Sequence, residues 1–241
     1  MKATKYLIAV SALAAAVSSG AYAAPYSVTG GITAQQVFSP PDPDNGLPEG
    51  GDLSPYLDMS YNHAPVFTGN WDVDTSSLSG NLQFNSFVVT AGPAAGGPFD
   101  GLFGTTTVAY GGDNYHIDTT GATIAYDAVT RTLTLTGGQL TGGVQPVASG
   151  DPTAVAVLGS FKNNPLVLDL TLVFSPDLQS FTGTATGTDN VDPNSDAAAF
   201  VSRQVITYNF SGTAVPVPAA AWLFGSGLVG LAGAARRRRA A

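Results

Sequence analysis

The chain has 241 residues, 44% of them hydrophobic and 11% charged, which suits one ordinary folded domain and excludes an intrinsically disordered chain. It has no cysteine, which excludes a disulfide framework, a Cys-ligated zinc site and a thiol nucleophile. Residues 24–214 hold all 17 acidic side chains and only three of the nine basic ones, and this net charge of −14 excludes a nucleic-acid partner because it repels phosphate.

The first 23 residues have the three parts of a secretory signal peptide. Lys2 and Lys5 give a positive start, and Leu7–Val17 is an apolar run of 11 residues, too short to span a membrane comfortably. Ala21 and Ala23 are the small residues that a signal peptidase reads. We therefore expect export through the Sec translocon and cleavage after Ala23.

Residues 24–214 are predicted to form one all-β body. A loop near residues 37–55 is dense in Pro, Gly and Asp, and apolar and polar residues alternate after it. In residues 166–174 one face carries Leu166, Leu168, Leu170, Leu172 and Phe174. The same alternation in residues 132–136 and 206–210 predicts half-buried strands. The predicted fold is an antiparallel β-sandwich, with an open β-barrel as the alternative, between a signal peptide and a C-terminal transmembrane helix.

Short turns between the alternating segments predict hairpins. Ser175–Leu178 has Pro at the second position of a type I turn and joins residues 166–174 to residues 179–188. Tyr126–Thr130 joins residues 122–126 to residues 131–136. Val73–Leu78 loosely repeats this second pattern of an apolar residue, Asp, a turn and a returning strand. The echo suggests a repeated meander unit.

Two acidic turns have the composition of a calcium-binding loop. Asp42–Gly46 is one residue short of the D-x-D-x-[DN]-G spacing. Asp192, Asn194 and Asp196 do alternate as such a loop requires, but Ala197 stands where the loop needs Gly. We expect solvated turns at both places, with Asp192, Asn194 and Asp196 as calcium candidates, and we assign no metal site and no cofactor.

No catalytic residue is predicted. His116 and Asp118 are spaced like a base and its orienting carboxylate, but no G-x-S-x-G nucleophile motif lies nearby. His63 lies in a turn-like stretch, and the single glutamate, Glu49, lies in the Pro-rich loop. We therefore predict that the protein is not an enzyme.

Aromatic residues in the first half of the body suggest an alternative function, because aromatic rings stack on the apolar faces of sugars. The candidates for such a face are Tyr56, Tyr61, Trp71, Tyr110 and Tyr115. The cores and edges of β-sandwiches use the same residue types. A carbohydrate-binding module that recognises exopolysaccharide is therefore the alternative to a purely structural body.

The C-terminus carries a second hydrophobic segment. Ala219–Ala235 is 17 residues without a charge, and as a helix it would extend roughly 25 Å, the short end of a transmembrane span. Trp222 lies near one boundary, where an indole favours the interface. The other boundary carries four residues that should stay cytoplasmic, Arg236, Arg237, Arg238 and Arg239. This topology places the body in the periplasm.

A short proline motif precedes the apolar segment. Its residues are Val215, Pro216, Val217 and Pro218, and its two prolines can continue neither a strand ladder nor a helix interior, so we expect an extended backbone. Such a backbone fits the cleft of a processing enzyme. In their order of Pro motif, apolar span and Arg cluster, residues 215–241 resemble the PEP-CTERM sorting signal of Gram-negative bacteria, in its VPxP-type variant.

The resemblance implies a transient inner-membrane protein. Proteins of this class are held by the C-terminal helix until an exosortase removes the tail near the Pro motif, and the products usually reach the cell surface or matrix, often in strains that make exopolysaccharide. The sequence therefore predicts an exported surface or biofilm-matrix protein with a structural or adhesive role. The first alternative is the carbohydrate-binding module, and the second is a secreted hydrolase; both would carry the same sorting signal.

Overall fold

A computed structural model describes residues 24–40, 50–112, 114–143, 147–152, 155, 166–191, 194, 198 and 201–215. These residues form 13 β-strands and a short 3-10 turn at Ser54–Tyr56. The strands are β1 Ala24–Phe38, β2 Leu57–Tyr61, β3 Val66–Val73, β4 Leu78–Phe84, β5 Ser86–Pro93, β6 Thr106–Gly111, β7 Asn114–Asp118, β8 Thr123–Asp127, β9 Thr132–Gly142, β10 Val147–Gly150, β11 Leu166–Phe174, β12 Ser180–Asn190 and β13 Arg203–Ala214.

Eight strands close into an antiparallel barrel in the order β11-β12-β13-β1-β3-β4-β7-β9, with β9 returning to β11. The predicted all-β antiparallel class is confirmed, but the sheet is a closed ring instead of the two open sheets of the expected sandwich. Closure depends on β9, which is 11 residues long. One of its edges pairs with β11, while its other edge pairs with β8 through residues 132–136 and with β7 through residues 139–142.

Four of the other five strands form a second sheet in the order β10-β6-β5-β2, while β8 stays paired with β9 in the first sheet. Each strand of the second sheet directly precedes or follows a barrel strand in the chain: β2 leads into β3, β4 into β5, β6 into β7, and β9 into β10. The order of these four strands matches that of their barrel continuations, β9-β7-β4-β3. This second sheet, called the extension sheet below, therefore continues one wall of the barrel.

The barrel interior is filled by the alternating apolar residues. Leu168, Leu170, Leu172 and Phe174 are all buried, as the alternation in residues 166–174 predicts. They pack with residues from every wall of the ring, and Trp71 on β3 is 2% exposed. Because burying one such side chain contributes about 1.5–3 kcal/mol, this core stabilises the fold without disulfides. A second, smaller core cluster consists of Val37, Leu53, Phe99, Val191 and Val201.

The two predicted hairpins are confirmed, and the segment Val73–Leu78 that echoes one of them also forms a hairpin. Their connections are Asp74–Ser77 between β3 and β4, Ala128–Arg131 between β8 and β9, and Ser175–Gln179 between β11 and β12. Leu178 N–H donates to Ser175 O at 3.0 Å, the bond of a four-residue turn. The predicted Pro-rich loop begins later than expected, because β1 continues to Phe38 and forms a bridge with Asp52.

Candidate functional site

The predicted sorting motif begins where the barrel ends. β1 and β13 are neighbours, with Tyr26 opposite Ala214, so both chain ends leave the barrel on the same side. Val215 N–H donates to Pro25 O at 2.8 Å, and Ala214 N–H donates to the carbonyl of Gln179 at 2.8 Å. The first residue of the motif is therefore still held by the barrel wall.

We call this end of the barrel the terminal rim: it comprises residues 24–26 and 214–215 and the three hairpins 74–77, 128–131 and 175–179. The other predicted address residues lie outside the described part of the chain. They are Ala21 and Ala23 of the signal cleavage site, Pro216, Val217 and Pro218 of the motif, and Trp222, Arg236, Arg237, Arg238 and Arg239 of the tail.

Each hairpin of the terminal rim is fixed by an aspartate. Asp127 accepts hydrogen bonds from the hydroxyl of Thr130 and from Val129 N–H, both at 2.8 Å, and these bonds lower the pKa of its carboxyl. Asp177 accepts from the hydroxyl of Ser175 at 2.6 Å, which likewise lowers its pKa. Asp74 accepts from two backbone N–H groups of its own turn. The loosely repeated sequence pattern thus corresponds to turns that are each stabilised by hydrogen bonds to an aspartate.

The calcium candidates gain no support from the described residues. Asn194 lies in an exposed turn, while Asp192 and Asp196 lie outside the described ranges, as does the segment Asp42–Gly46. Among the residues that the structure describes, no three His, Asp or Glu side chains come close enough together to hold a metal ion.

The histidines lie in separate surroundings. His116 is exposed on β7, and Asp118 turns to its own loop, where it accepts a hydrogen bond from Thr120 N–H at 2.9 Å. Hydrogen bonds from Thr120 lower the pKa of the Asp118 carboxyl. His63 contacts the carbonyl of Ser86. The structure therefore shows Asp118 bonded to its own turn, with no hydrogen bond joining it to His116.

The five aromatic candidates do not form one platform. Trp71 is in the core, where its indole N–H donates to Asn81 O at 3.2 Å. The tyrosines are half-buried: Tyr110 stacks on Phe87 with ring centres 4.6 Å apart, and Tyr61 lies 6.2 Å from the same ring. The other two pack edge-on, Tyr56 against Phe99 and Tyr115 against Phe84.

The structure also shows a partly buried chain of polar side chains that the sequence did not indicate. The hydroxyl of Tyr61 donates to the Gln35 side-chain oxygen at 2.9 Å, and Gln35 Nε2 donates to Gln204 Oε1 at 2.9 Å. Gln204 Nε2 then donates to Asp189 Oδ2 at 3.1 Å. The chain links the extension sheet to three neighbouring barrel strands, β1, β13 and β12.

Asp189 ends this chain with an unsatisfied atom. Asp189 is 4% exposed, and its Oδ1 is buried with no hydrogen-bond partner among the described residues. Burial raises the pKa of the Asp189 carboxyl to about 7, against a smaller lowering by the bond from Gln204. Burial also raises the pKa of the nearby Tyr208 hydroxyl. Among the described carboxyl groups, that of Asp189 has the most strongly shifted pKa, and it lies inside the barrel.

A cavity of about 20 Å³ lies deeper in the barrel and is lined by residues including Phe67, Trp71, Ala185 and Tyr208. It is apolar, and its volume is that of roughly one water molecule. It is a packing gap of the core, since no small-molecule substrate fits such a volume.

No protein-family model matches the chain, and no curated protein matches it. In the part of the chain that the structure describes, no helix is both long and apolar enough to cross a membrane, and the predicted span Ala219–Ala235 lies outside that part.

Proposed function

We propose that this protein is an exported, non-enzymatic β-barrel that a C-terminal, exosortase-type sorting signal delivers to the cell surface or extracellular matrix. One observation carries the proposal: the described barrel begins at Ala24 and ends at Ala214 on the same rim, so both predicted addresses would join it there. β1 begins at Ala24, the first residue after the predicted signal cleavage, and β13 ends at Ala214, directly before the Pro motif.

The predicted processing steps leave the barrel whole. Among the described residues, the buried members of the main hydrophobic cluster run from Tyr26 to Phe210, within the part of the chain that both predicted cuts would leave. Release of the tail beyond Val215 removes no described strand pairing. A body that keeps its ring and core after both cuts is suited to act as the cargo of a sorting signal.

The chemistry of the body supports a structural or adhesive role. Its net charge of −14 favours solubility outside the cell. The carboxylates of the terminal rim are bonded to their own turns, and the described cavity is an apolar gap of about 20 Å³. The proposed partners are the Sec translocon, signal peptidase, an exosortase and, transiently, the inner membrane, with exopolysaccharide as the matrix partner.

The Pro motif gives a direct test in cells. Replacing Pro216→Ala together with Pro218→Ala should leave the protein in the inner-membrane fraction, because the processing enzyme loses its extended substrate. Pro176→Ala, a proline exchange in the β11–β12 hairpin, is the matched control and should reach the surface like the unaltered chain. Surface delivery of the double variant at the normal level would refute the role of the motif.

A further inference from the structure

The terminal rim lies close to the predicted membrane span. Val215 is bonded to the barrel through Pro25, and only Pro216, Val217 and Pro218 stand between it and Ala219, the first residue of the apolar segment. Four residue steps extend no more than about 14 Å. The headgroup layer of a bilayer is itself roughly 5–7 Å thick on each side. If the segment spans the membrane, the rim therefore has to lie at the lipid surface or within about 7–9 Å of it.

The same rim exposes apolar side chains. Val129, at the tip of the β8–β9 hairpin, is 87% exposed, while Leu178 in the β11–β12 hairpin is 47% exposed and Val215 is 42% exposed. Single exposed apolar residues are ordinary on a protein surface. These three, however, all lie on the end of the barrel from which the tail leaves.

Hydrogen bonds join the neighbouring parts of the rim that carry the three side chains. Phe174 N–H donates to Arg131 O at 3.0 Å, which joins the β8–β9 hairpin to the end of β11. The bond from Ala214 N–H to Gln179 O joins the β11–β12 hairpin to the last strand. The tips of the β8–β9 and β11–β12 hairpins and the end of β13 with Val215 therefore follow one another around the rim.

Leu178 carries a further indication. Its φ is +57°, in the left-handed region that favours Gly or Asn and is uncommon for a bulky residue. The turn is held by the bond from Leu178 N–H to Ser175 O and by the hydroxyl of Tyr26, which donates to Leu178 O at 2.7 Å. A leucine at this position strains the backbone and still leaves about half of its side chain exposed, so the fold of the body does not explain the choice.

We propose that the terminal rim rests on the bilayer that holds the tail, with Val129, Leu178 and Val215 in the lipid headgroup layer. This inference rests on the proposed function, because it needs residues 219–235 to be inserted. Asp127 and Asp177 lie beside the two tips and, with pKa values below the ordinary range, keep their charge. They restrict the contact to the headgroup layer, and they favour a zwitterionic surface over an anionic one.

The proposal gives the exosortase substrate a defined orientation. Strand β1, with 15 residues, is roughly 45–50 Å long along its own axis and runs from the rim toward the extension sheet, which therefore lies on the side away from the membrane. Once processing has removed the tail, the rim also leaves the membrane, because three side chains in the headgroup layer do not anchor a protein without its span.

Depth-dependent quenching tests this orientation, since the chain has no native cysteine. Full-length chains with Val129→Cys or Leu178→Cys are labelled with a fluorophore and reconstituted in phosphatidylcholine vesicles that contain nitroxide-headgroup lipid. The matched control is Leu102→Cys, a 71% exposed leucine in the loop after β5, beside the second core cluster at the opposite end of the barrel. Leu228→Cys reports whether the tail is inserted.

Labels at residues 129 and 178 should be quenched about twofold or more strongly than the label at residue 102. Equal quenching at these three positions, with residue 228 shielded in the bilayer, would overturn the contact of the rim and leave the sorting proposal standing. A label at residue 228 that stays in water would overturn both. Val129→Cys alone is sufficient, because its nearly complete exposure makes the exchange harmless to folding.

Discussion

The buried carboxyl of Asp189 predicts an unusual dependence of stability on pH. In the unfolded chain an aspartate loses its proton near pH 4, whereas burial holds the pKa of Asp189 at about 7 in the folded barrel. Between these two values the folded protein binds one more proton than the unfolded chain. The free energy of unfolding therefore falls as pH rises from about 4 to 7, and the penalty is fully present above pH 7.

The size of the effect follows from the shift. Each pKa unit corresponds to about 1.4 kcal/mol, so a shift of roughly three units sets an upper bound of about 4 kcal/mol on the loss between pH 4 and pH 8. Because the protein relaxes around the buried charge, we expect the free energy of unfolding to fall by about 2–4 kcal/mol over this pH range. Asp189→Asn removes the titration and keeps a side-chain oxygen for the bond from Gln204.

Urea denaturation at pH 4.5, 6 and 8 measures this difference. Trp71 fluorescence can serve as the signal in a Trp222→Phe background, which removes the other tryptophan. Relative to the parent, Asp189→Asn should gain about 2–4 kcal/mol between pH 4.5 and pH 8. Asp58→Asn, which removes an exposed carboxyl on β2, is the matched control and should track the parent. Parallel pH curves for the parent and Asp189→Asn would refute the reasoning.

Three substitutions test the packing and the turns. Gly30→Ala places a Cβ 2.5 Å from a main-chain oxygen of β13 and should lower the free energy of unfolding by about 2 kcal/mol or more. In the control Gly111→Ala the new Cβ meets no atom within 4 Å, so the free energy of unfolding should change by less than about 0.5 kcal/mol. Equal effects of the two substitutions would contradict the clash. Leu178→Asn should raise stability by about 0.5–1 kcal/mol because Asn tolerates the left-handed backbone, and a loss above 1 kcal/mol would argue against strain there. Tyr26→Phe should lose about 1 kcal/mol with the bond to Leu178 O, and an unchanged denaturation midpoint would contradict that contribution.

The alternation of side chains predicted more of this fold than any single motif. On β11 it identified the buried row Leu168 to Phe174, and the turn residues identified the hairpins at residues 128–131 and 175–179. These features are local, because side-chain direction and turn geometry depend on a few neighbouring residues. A pairing partner is not local: that β9 meets β11 on one edge and both β7 and β8 on the other depends on register around the whole ring.

The features of the candidate site likewise divide into local ones and ones that depend on the whole barrel. Asp189 shares its face of β12 with Phe181 and Ala185, so its position in the alternation carried a signal of burial, but the bond to Gln204 and the lack of a partner for Oδ1 depend on the closed barrel. Val129 and Leu178 are apolar residues in predicted turns, yet nothing local shows that they lie on the rim that holds Val215. The roles of Pro216 to Arg239 remain predictions from the sequence alone.

The intact mass of the protein recovered from surface material tests the central claim most directly. The account predicts a chain that begins at Ala24 and ends within or close to the Pro motif at residues 215–218, with the ring of eight strands complete. A surface form whose mass still includes Trp222 through Arg239 would contradict it.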